Sequence, residues 1–310
     1  MYLQIAYLSV ILIWSTTPLA IQWSTQGAGY AFAAMARMVI GLVLCMFLLV
    51  VLRIPFPLHR KALHTYVAAS IGIFGAMFSI YWGARYIESG LIAVLFGLSP
   101  IATGLAASVW LGEKSFSPMK LAGMAMGIAG LMAIFGGHFQ PGGFAGAGIG
   151  AVLFAVVVQS SSMVWVKRIA TDAHAIAITA GALAVSLPMF ILSWWLVDGQ
   201  WPAQLISRSG AAILYLGIFG SVMGFILYFY IVKHMETGRI ALITLITPIS
   251  ALMLGHVLNH EEIPTAVWLG TGMILGGLSL HQWQSLGSLI YAWKDRVRDG
   301  EGAQSSQRTR

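Results

Sequence analysis

Charged residues are scarce in this sequence, and their scarcity excludes an ordinary water-soluble fold. Of the 310 residues, 9% are charged and 58% are hydrophobic. A soluble domain carries about 25% charged residues, and a soluble fold this poor in charge would expose large apolar patches and aggregate. The lipid bilayer is therefore the solvent that suits this chain.

Cysteine is also scarce, and acidic residues are absent from the middle of the apolar stretches. Cys45 is the single cysteine, so an internal disulfide is impossible. No Asp or Glu lies in the middle of an apolar stretch, and the histidine pair with metal-ligand spacing, His256 and His260, lies at the end of one and has no counterpart elsewhere. We therefore expect no catalytic residue, no metal site and no cofactor.

The sequence does contain a series of long apolar stretches. A helix needs about 20 apolar residues to cross the hydrocarbon core of a bilayer. Ten such stretches run at 3–22, 31–52, 65–86, 90–111, 118–135, 146–166, 175–197, 211–232, 238–258 and 264–282. Because helices satisfy their own backbone hydrogen bonds in lipid, we predict an all-α integral membrane protein with ten transmembrane helices.

Basic residues outnumber acidic ones by 17 to 10, and their placement favours a membrane orientation over nucleic-acid binding. With ten helices and a cytoplasmic N-terminus, fourteen of them fall in cytoplasmic loops and the tail, against only Arg85 and Arg208 outside. The positive-inside rule then places both termini in the cytoplasm. The first stretch lacks a basic leader and a cleavage site, so we interpret it as a retained helix.

One segment occurs twice. Residues 88–100 read ESGLIAVLFGLSP and residues 236–248 read ETGRIALITLITP, with five of thirteen positions identical at an offset of 148. The same offset relates Gly72 to Gly220. The first five predicted helices therefore correspond to the last five.

This repeat predicts the domain organisation. We assign a first repeat to 1–137, a second to 138–285 and a cytoplasmic tail to 286–310. Because five is an odd number of helices, the second repeat enters the membrane from the opposite side. Inverted repeats of this kind are typical of secondary transporters, which move a central site between the two faces.

Five motifs together resemble the EamA family of the drug/metabolite transporter superfamily. They are LIWSTTP, ARM with Arg37, YWGARYIESG, LSPIATGLAASVWLGE and ITPISALMLGHVLNHEE. The resemblance implies two EamA repeats of five helices with a substrate cavity between them. It also implies export of small metabolites or drugs across a bacterial-type inner membrane.

Two prolines mark the predicted centre of the transport path. Pro100 and Pro248 lie near the midpoints of their helices. Proline removes one backbone donor and clashes with the carbonyl four residues earlier, here that of Phe96 and that of Thr244. Paired helix breaks at mid-membrane are typical of a binding site; a packing kink without ligand contact is the alternative.

Polar and aromatic side chains near these prolines form the predicted substrate site. The candidates are Trp14, Phe78, Trp82, Phe96, Ser99, Gln159, Tyr228, Thr244 and Thr247. Runs of polar residues at 15–17 and 159–162 are costly against lipid and should face inward. Aromatic rings suit flat or apolar solutes, while helix packing is the alternative role for each candidate.

Three further charged residues lie near helix ends or inside a span. For Arg37 we favour a structural role, snorkelling or holding carbonyls, and leave contact with a substrate carboxylate as the alternative. Glu113 and Glu261 each precede a helix with a proline in its first turn, and we expect them to cap or pack that helix. Proton coupling through Glu261 is the alternative.

The sequence therefore predicts a secondary carrier that exports small organic metabolites, such as amino acids or related compounds, or drugs. Its partners are a small-molecule solute and the lipid bilayer, without nucleic acid, and it is a monomer or a weak homodimer. Direction, energy coupling and the solute itself stay open. The alternatives are a membrane enzyme acting on a lipid-linked substrate, for which no catalytic constellation is found, and a non-transporting scaffold or channel.

Overall fold

The protein is all-helical over the residues that the computed structural model describes, which are 2–112, 117–138, 143–202, 207–235 and 237–283. The helices are α1 (Tyr2–Thr25), α2 (Tyr30–Val51), α3 (Arg60–Gly83), α4 (Ser89–Phe96), α5 (Ser99–Leu111), α6 (Pro118–His138), α7 (Ala145–Ile169), α8 (Ala175–Val197), α9 (Arg208–Tyr215), α10 (Gly224–His234), α11 (Thr237–Asn259) and α12 (Thr265–His281). A π-helical segment, Leu216–Met223, joins α9 to α10. The predicted tail at 286–310 and Glu113 lie outside the described residues.

Eight helical segments of the described chain are long and apolar enough to cross a membrane. Two of them, Ser89–Leu111 and Arg208–Tyr228, each combine more than one helical element. Helices α6 and α12, which correspond to the fifth and tenth predicted spans, are not among the eight. A multi-pass helical membrane fold is thus confirmed, while the number ten stays a prediction.

The outside of the bundle is apolar. Val50 is 75% exposed, Trp195 67% and Leu8 64%. Exposed apolar surface on this scale destabilises a protein in water, whereas in a bilayer the same side chains meet lipid tails. The surface therefore agrees with the composition in assigning the chain to the membrane.

Glycines bring α6 and α12 into backbone contact. A methyl group at Gly123 would overlap the carbonyl oxygen of Gly277, and one at Gly130 would lie 2.6 Å from the carbonyl oxygen of Gly270. The order of these contacts makes the two helices antiparallel. Small residues permit such close approach between helices in lipid, so this glycine seam joins the fifth and tenth predicted helices within one chain.

Helices α3 and α7 form a second antiparallel pair. Gly72 lies against Ser162, whose Oγ donates to the carbonyl of Ala68 at 2.8 Å. Further along, Gly83 lies against Gly148. Because α3 belongs to the first predicted repeat and α7 to the second, this pair also ties one half of the chain to the other.

The eighth predicted helix is not uniform. Its middle, Leu216–Met223, is π-helical, and the Gly224 amide donates to the carbonyl of Phe219, five residues back. Gly220 has no side chain, and Arg37 of α2 lies against it. π turns are rare and frequently occur at functional sites, which makes this segment a place to look for one.

The hydrophobic core of the described residues has two separate parts. The main core is centred on large buried side chains such as Tyr81, Leu95 and Phe190. A small second cluster joins α1, α10 and α11 and consists of Ala6, Val10, Ile231 and Ile243. Of the candidate substrate residues, Phe78 and Phe96 pack against the main core, and Trp14 and Tyr228 pack against the small cluster.

Candidate solute site

Helices α4 and α11 meet at the level of the two repeated prolines. Gly97, just after α4, lies against Pro248, with 3.7 Å between Pro248 Cγ and the position a Gly97 Cβ would take. Gly97 and Leu98 interrupt the helix, and Pro100 stands in the first turn of α5. By contrast, α11 runs through Pro248 as one helix. The same motif therefore contains a tight turn in the first repeat, in which Gly97 and Leu98 keep right-handed helical φ and ψ, and a continuous helix in the second.

Helix α7 places polar side chains beside the interruption. Ser160 Oγ donates to the carbonyl of Ser99 at 3.4 Å. The neighbouring Gln159 has its Oε1 buried without a hydrogen-bond partner. Phe96, at the end of α4, packs against the main core. Phe96 and Ser99 thus flank the interruption, and Gln159, next in sequence to Ser160, has a buried amide oxygen that is available as an acceptor.

Helix α11 contributes two threonines that behave differently. Thr247 Oγ1 donates to the carbonyl of Ile243 in its own helix at 2.9 Å. Thr244 Oγ1 accepts from Gln282 Nε2 at 3.4 Å, and Gln282 Oε1 is buried without a partner. Sequence reasoning missed Gln282; an amide that closes the last apolar stretch was the available signal.

The predicted aromatic residues fall into separate groups. Trp14 and Tyr228 pair with ring centroids 4.9 Å apart and pack against the small cluster. Phe78 packs in the main core, with its ring 5.7 Å from that of Tyr30. The ring centroid of Trp82 lies 4.9 Å from that of Tyr86. The ring contacts therefore join Trp14 to Tyr228 and connect Phe78 and Trp82 to neighbours outside the predicted set.

The polar segment of α1 lies against the π segment. A Gly220 Cβ would be 3.6 Å from Thr17 Oγ1 and 3.4 Å from Arg37 Nη2. Thr16 Oγ1 and the Tyr215 hydroxyl share a hydrogen bond of 2.6 Å. The polar run in α1 therefore faces the interior of the helix bundle, as the sequence predicts.

Arg37 is buried, with 4% of its surface exposed. Its Nε donates to Ser221 Oγ at 2.9 Å, and its Nη1 has no partner. Snorkelling is thus excluded, because the side chain does not reach the surface. The guanidinium is held by a hydroxyl of the π segment rather than by backbone carbonyls.

A hydrogen-bond network closes one end of the bundle, where α1 and α11 finish and α4 begins; we call this the Glu261 end. The Glu261 network consists of Gln22, Trp23, Ser89, Gly90, Asn259 and Glu261. The buried Glu261 carboxylate accepts from the amides of Ser89 at 3.1 Å and Gly90 at 3.2 Å. The sequence predicts a cap on the following helix; the carboxylate instead caps α4, in the other repeat, where the helix dipole favours an anion.

Asn259 extends the Glu261 network to α1. Its Nδ2 donates to Glu261 Oε1 at 3.0 Å and to Gln22 Oε1 at 2.8 Å, while its Oδ1 accepts from Trp23 Nε1 at 2.9 Å. The Arg208 guanidinium lies 3.6 Å from the centre of the Trp23 ring. Three helices are thereby tied together at this end.

A second acid of the second repeat caps a helix of the first. Asp198 Oδ2 accepts from the Phe32 amide in the first turn of α2 at 3.0 Å. Gly29, which precedes α2, has a positive φ of 79°, and a side chain there would overlap the Asp198 carboxylate. Glycine therefore suits this position on both grounds. Asp198 and Glu261 therefore act alike, because both lie in the second repeat and both cap a helix of the first.

Comparisons with known proteins assign this architecture to a family. The sequence profile of the EamA-like transporter family matches residues 2–136 and 146–281, which is most of the chain in two segments. A solved crystal structure aligns over 92% of this chain and 97% of its own, with a TM-score of 0.61 and 21% identity. At that identity the likeness shows the fold alone.

Two curated relatives are transporters by name. "Uncharacterized transporter YvbV" of Bacillus subtilis is 24% identical over 64% of this chain and 64% of its own length, so the match spans slightly less than two thirds of that relative. "Probable terminal-alkyne amino-acid exporter" of Streptantibioticus cattleyicolor is 24% identical over 91% of this chain and 94% of its own length. Both likenesses are distant.

Proposed function

Because the chain belongs to the EamA-like transporter family, we propose that it is a secondary carrier that exports a small organic solute by alternating access. The two matched segments correspond to two inverted five-helix repeats. The name of the Streptantibioticus relative favours an amino acid or a related compound as the solute. The excess of basic residues in one set of loops supports an inner-membrane protein with both termini in the cytoplasm.

The difference between α4–α5 and α11 carries this proposal. In a carrier built from inverted repeats, the two repeats hold different conformations at any moment and exchange them when the site changes sides. Here one proline-bearing helix is interrupted and its counterpart is continuous, and they touch at Gly97 and Pro248. In the opposite state we expect α11 to break at Pro248 and α4 to join α5.

The Glu261 network supports an assignment of the present state. The orientation proposed above places the Glu261 end on the extracytoplasmic side, where the network holds α1, α4 and α11 together. The solute site then lies at mid-membrane and opens toward the cytoplasm. The residues proposed to contact the solute are Trp14, Phe78, Trp82, Phe96, Ser99, Gln159, Tyr228, Thr244 and Thr247.

The glycine seam between α6 and α12 supports a monomer as the working unit. Gly123, Gly130, Gly270 and Gly277 all face partners within the chain. Small-residue faces of this type are what helices use to associate in lipid. Since these are satisfied internally, a homodimer would have to be weak or use another surface.

Counterflow in proteoliposomes tests the proposed function. Proteoliposomes that contain the purified protein are preloaded with each unlabelled amino acid in turn, and uptake of the labelled form is measured. We expect saturable exchange that falls at least tenfold in Thr244→Leu and Gln159→Leu. The control is Thr179→Leu in α8, whose hydroxyl bonds its own helix.

Three outcomes would count against parts of this proposal. Exchange that stays unchanged in both Thr244→Leu and Gln159→Leu, with folding intact, removes the mid-membrane site. Flux that does not saturate indicates a channel, and turnover of a lipid-linked substrate by the purified protein indicates a membrane enzyme.

A further inference from the structure

The buried guanidinium of Arg37 has no charged partner. Over the described residues, its hydrogen bonding is limited to the contact of Nε with Ser221, and no carboxylate forms an ion pair with it. The acids of the sequence lie at helix ends or in the tail. An uncompensated buried charge is strongly unfavourable, and residues that retain one inside a membrane are functional candidates.

The surroundings of Arg37 are built for close approach. Gly220 and Gly224, four residues apart in and after the π segment, present a strip of bare backbone to α1, and Ile13 and Thr17 of α1 lie in van der Waals contact with this strip. Arg37 Nη2 lies at one end of the strip. At the other end, Trp14 Nε1 is 3.4 Å from the position that a Gly224 Cβ would take. A π segment with a buried, unpaired charge beside it is an unusual pair of features to occur together by packing alone.

The hydrogen-bond donors left over around Arg37 match an anion. Nη1 has no partner, and Ser221 Oγ accepts from Nε, which leaves the hydroxyl hydrogen of Ser221 for another acceptor. Guanidinium and carboxylate form two parallel hydrogen bonds, a geometry that lysine cannot reproduce. The aromatic pair of Trp14 and Tyr228 adjoins the other end of the strip.

The geometry points to Arg37 and Ser221 as the subsite for the carboxylate of the transported solute, with an apolar or aromatic body directed toward Trp14 and Tyr228. This assignment rests on the proposed carrier function. It names the substrate class as carboxylates, including zwitterionic amino acids, and replaces the structural role that the sequence favours for Arg37.

The test compares acids with their amides. The twenty amino acids and their primary amides differ in the carboxylate, and binding of each is followed by thermal stability of the full-length protein in detergent. We expect at least one acid to bind wild type at least tenfold more tightly than its amide. Arg37→Gln should lose that preference, Arg37→Lys should retain part of it, and Ser221→Ala should reduce it severalfold. Arg168→Gln, at the exposed end of α7, is the control.

Stability without ligand separates the two roles of Arg37. A subsite role predicts that Arg37→Gln is at least as heat-stable as wild type, since an unpaired buried charge is removed. A structural role predicts lower stability and an unchanged acid preference, which would overturn the assignment. Binding of no acid by wild type would overturn it as well. If acids and amides are exchanged equally in proteoliposomes, the carboxylate subsite is wrong while the carrier function stands.

Discussion

In the first repeat, the helix that carries ESGLIAVLFGLSP stops at Phe96 and restarts at Ser99, whereas residues 237–248 of the matching ETGRIALITLITP lie inside the continuous helix α11. The third helix of each repeat shows the reverse pattern. Helix α3 is regular, and its counterpart contains the π segment. Each repeat therefore has one distorted helix, which is the fourth helix in the first repeat and the third helix in the second.

This comparison shows what a proline does in a membrane helix. The missing N–H and the steric clash are the same at Pro100 and Pro248, yet the helix breaks at only one of them. The two segments differ beside the proline: the first has Gly97 where the second has Leu245, and Ser160 of α7 donates to the carbonyl of Ser99. Proline thus makes an interruption inexpensive without being sufficient for one.

The largest effect on stability is expected from Glu261→Ala, which removes the acid by which the second repeat caps α4 of the first. The amides of Ser89 and Gly90 lose their acceptor, so we expect the free energy of unfolding to fall by about 3 kcal/mol. Unfolding in detergent measures it. Glu262→Ala, an exposed neighbour, should change stability by less than about 0.5 kcal/mol; equal effects of the two variants would contradict the cap.

The next effect compares two glycines at matched positions. A methyl at Gly72 would lie 2.6 Å from Ser162 Cβ, which cannot move away by rotating, while one at Gly220 meets its nearest atoms at 3.4 Å. We expect Gly72→Ala to lower stability by about 2 kcal/mol and Gly220→Ala by less than about 1 kcal/mol. Thermal unfolding of both variants checks the order, and a larger loss for Gly220→Ala would show that the π segment is the tighter site.

The third prediction compares the rates of solute exchange after each of the two repeated prolines is replaced. Pro100→Ala allows α4 and α5 to join, so we expect solute exchange to slow about tenfold, equivalent to about 1.4 kcal/mol in the barrier. Pro248→Ala should slow exchange similarly but leave the present state unchanged. Labelling of a cysteine placed at Ser99, in a Cys45→Ala background, distinguishes the states. Full exchange by both variants would show that neither break is needed.

The smallest effect is expected in the two threonines of α11. Thr247→Val removes a hydroxyl that bonds its own helix, so exchange should change less than twofold and stability by less than about 0.5 kcal/mol. Thr244→Val removes the acceptor of Gln282 and should slow exchange more. Counterflow rates of the two variants decide this, and the opposite order would show that the Thr247 hydroxyl, rather than the remainder of that side chain, makes the important contact with the solute.

The sequence was sufficient for the class of fold and for the family, because hydropathy and the repeated motif are local properties of the chain. The polar run of α1 also faces inward, as its cost against lipid predicts. The cap that Glu261 places on α4 was not predictable, since the acid and the amides are more than 170 residues apart. The break at Gly97 and the π segment likewise depend on packing between helices.

Gln282 and the separate locations of Phe78 and Trp14 show a second limit. Residues that share a helix face can be read from spacing, but which faces meet depends on how helices cross. Trp14 packs against Tyr228, while Phe78 packs against Tyr30 and the main core. The spacing of these residues along the chain therefore does not predict which of them pack against one another.

The seam of Gly123, Gly130, Gly270 and Gly277 has a consequence for measurement. Backbone lies on backbone there, which leaves the two helices little room to separate or slide, so we expect α6 and α12 to stay fixed while the proline-bearing helices rearrange. A spectroscopic label on the lipid side of that pair would serve as a stationary landmark, against which the travel of every other segment could be gauged.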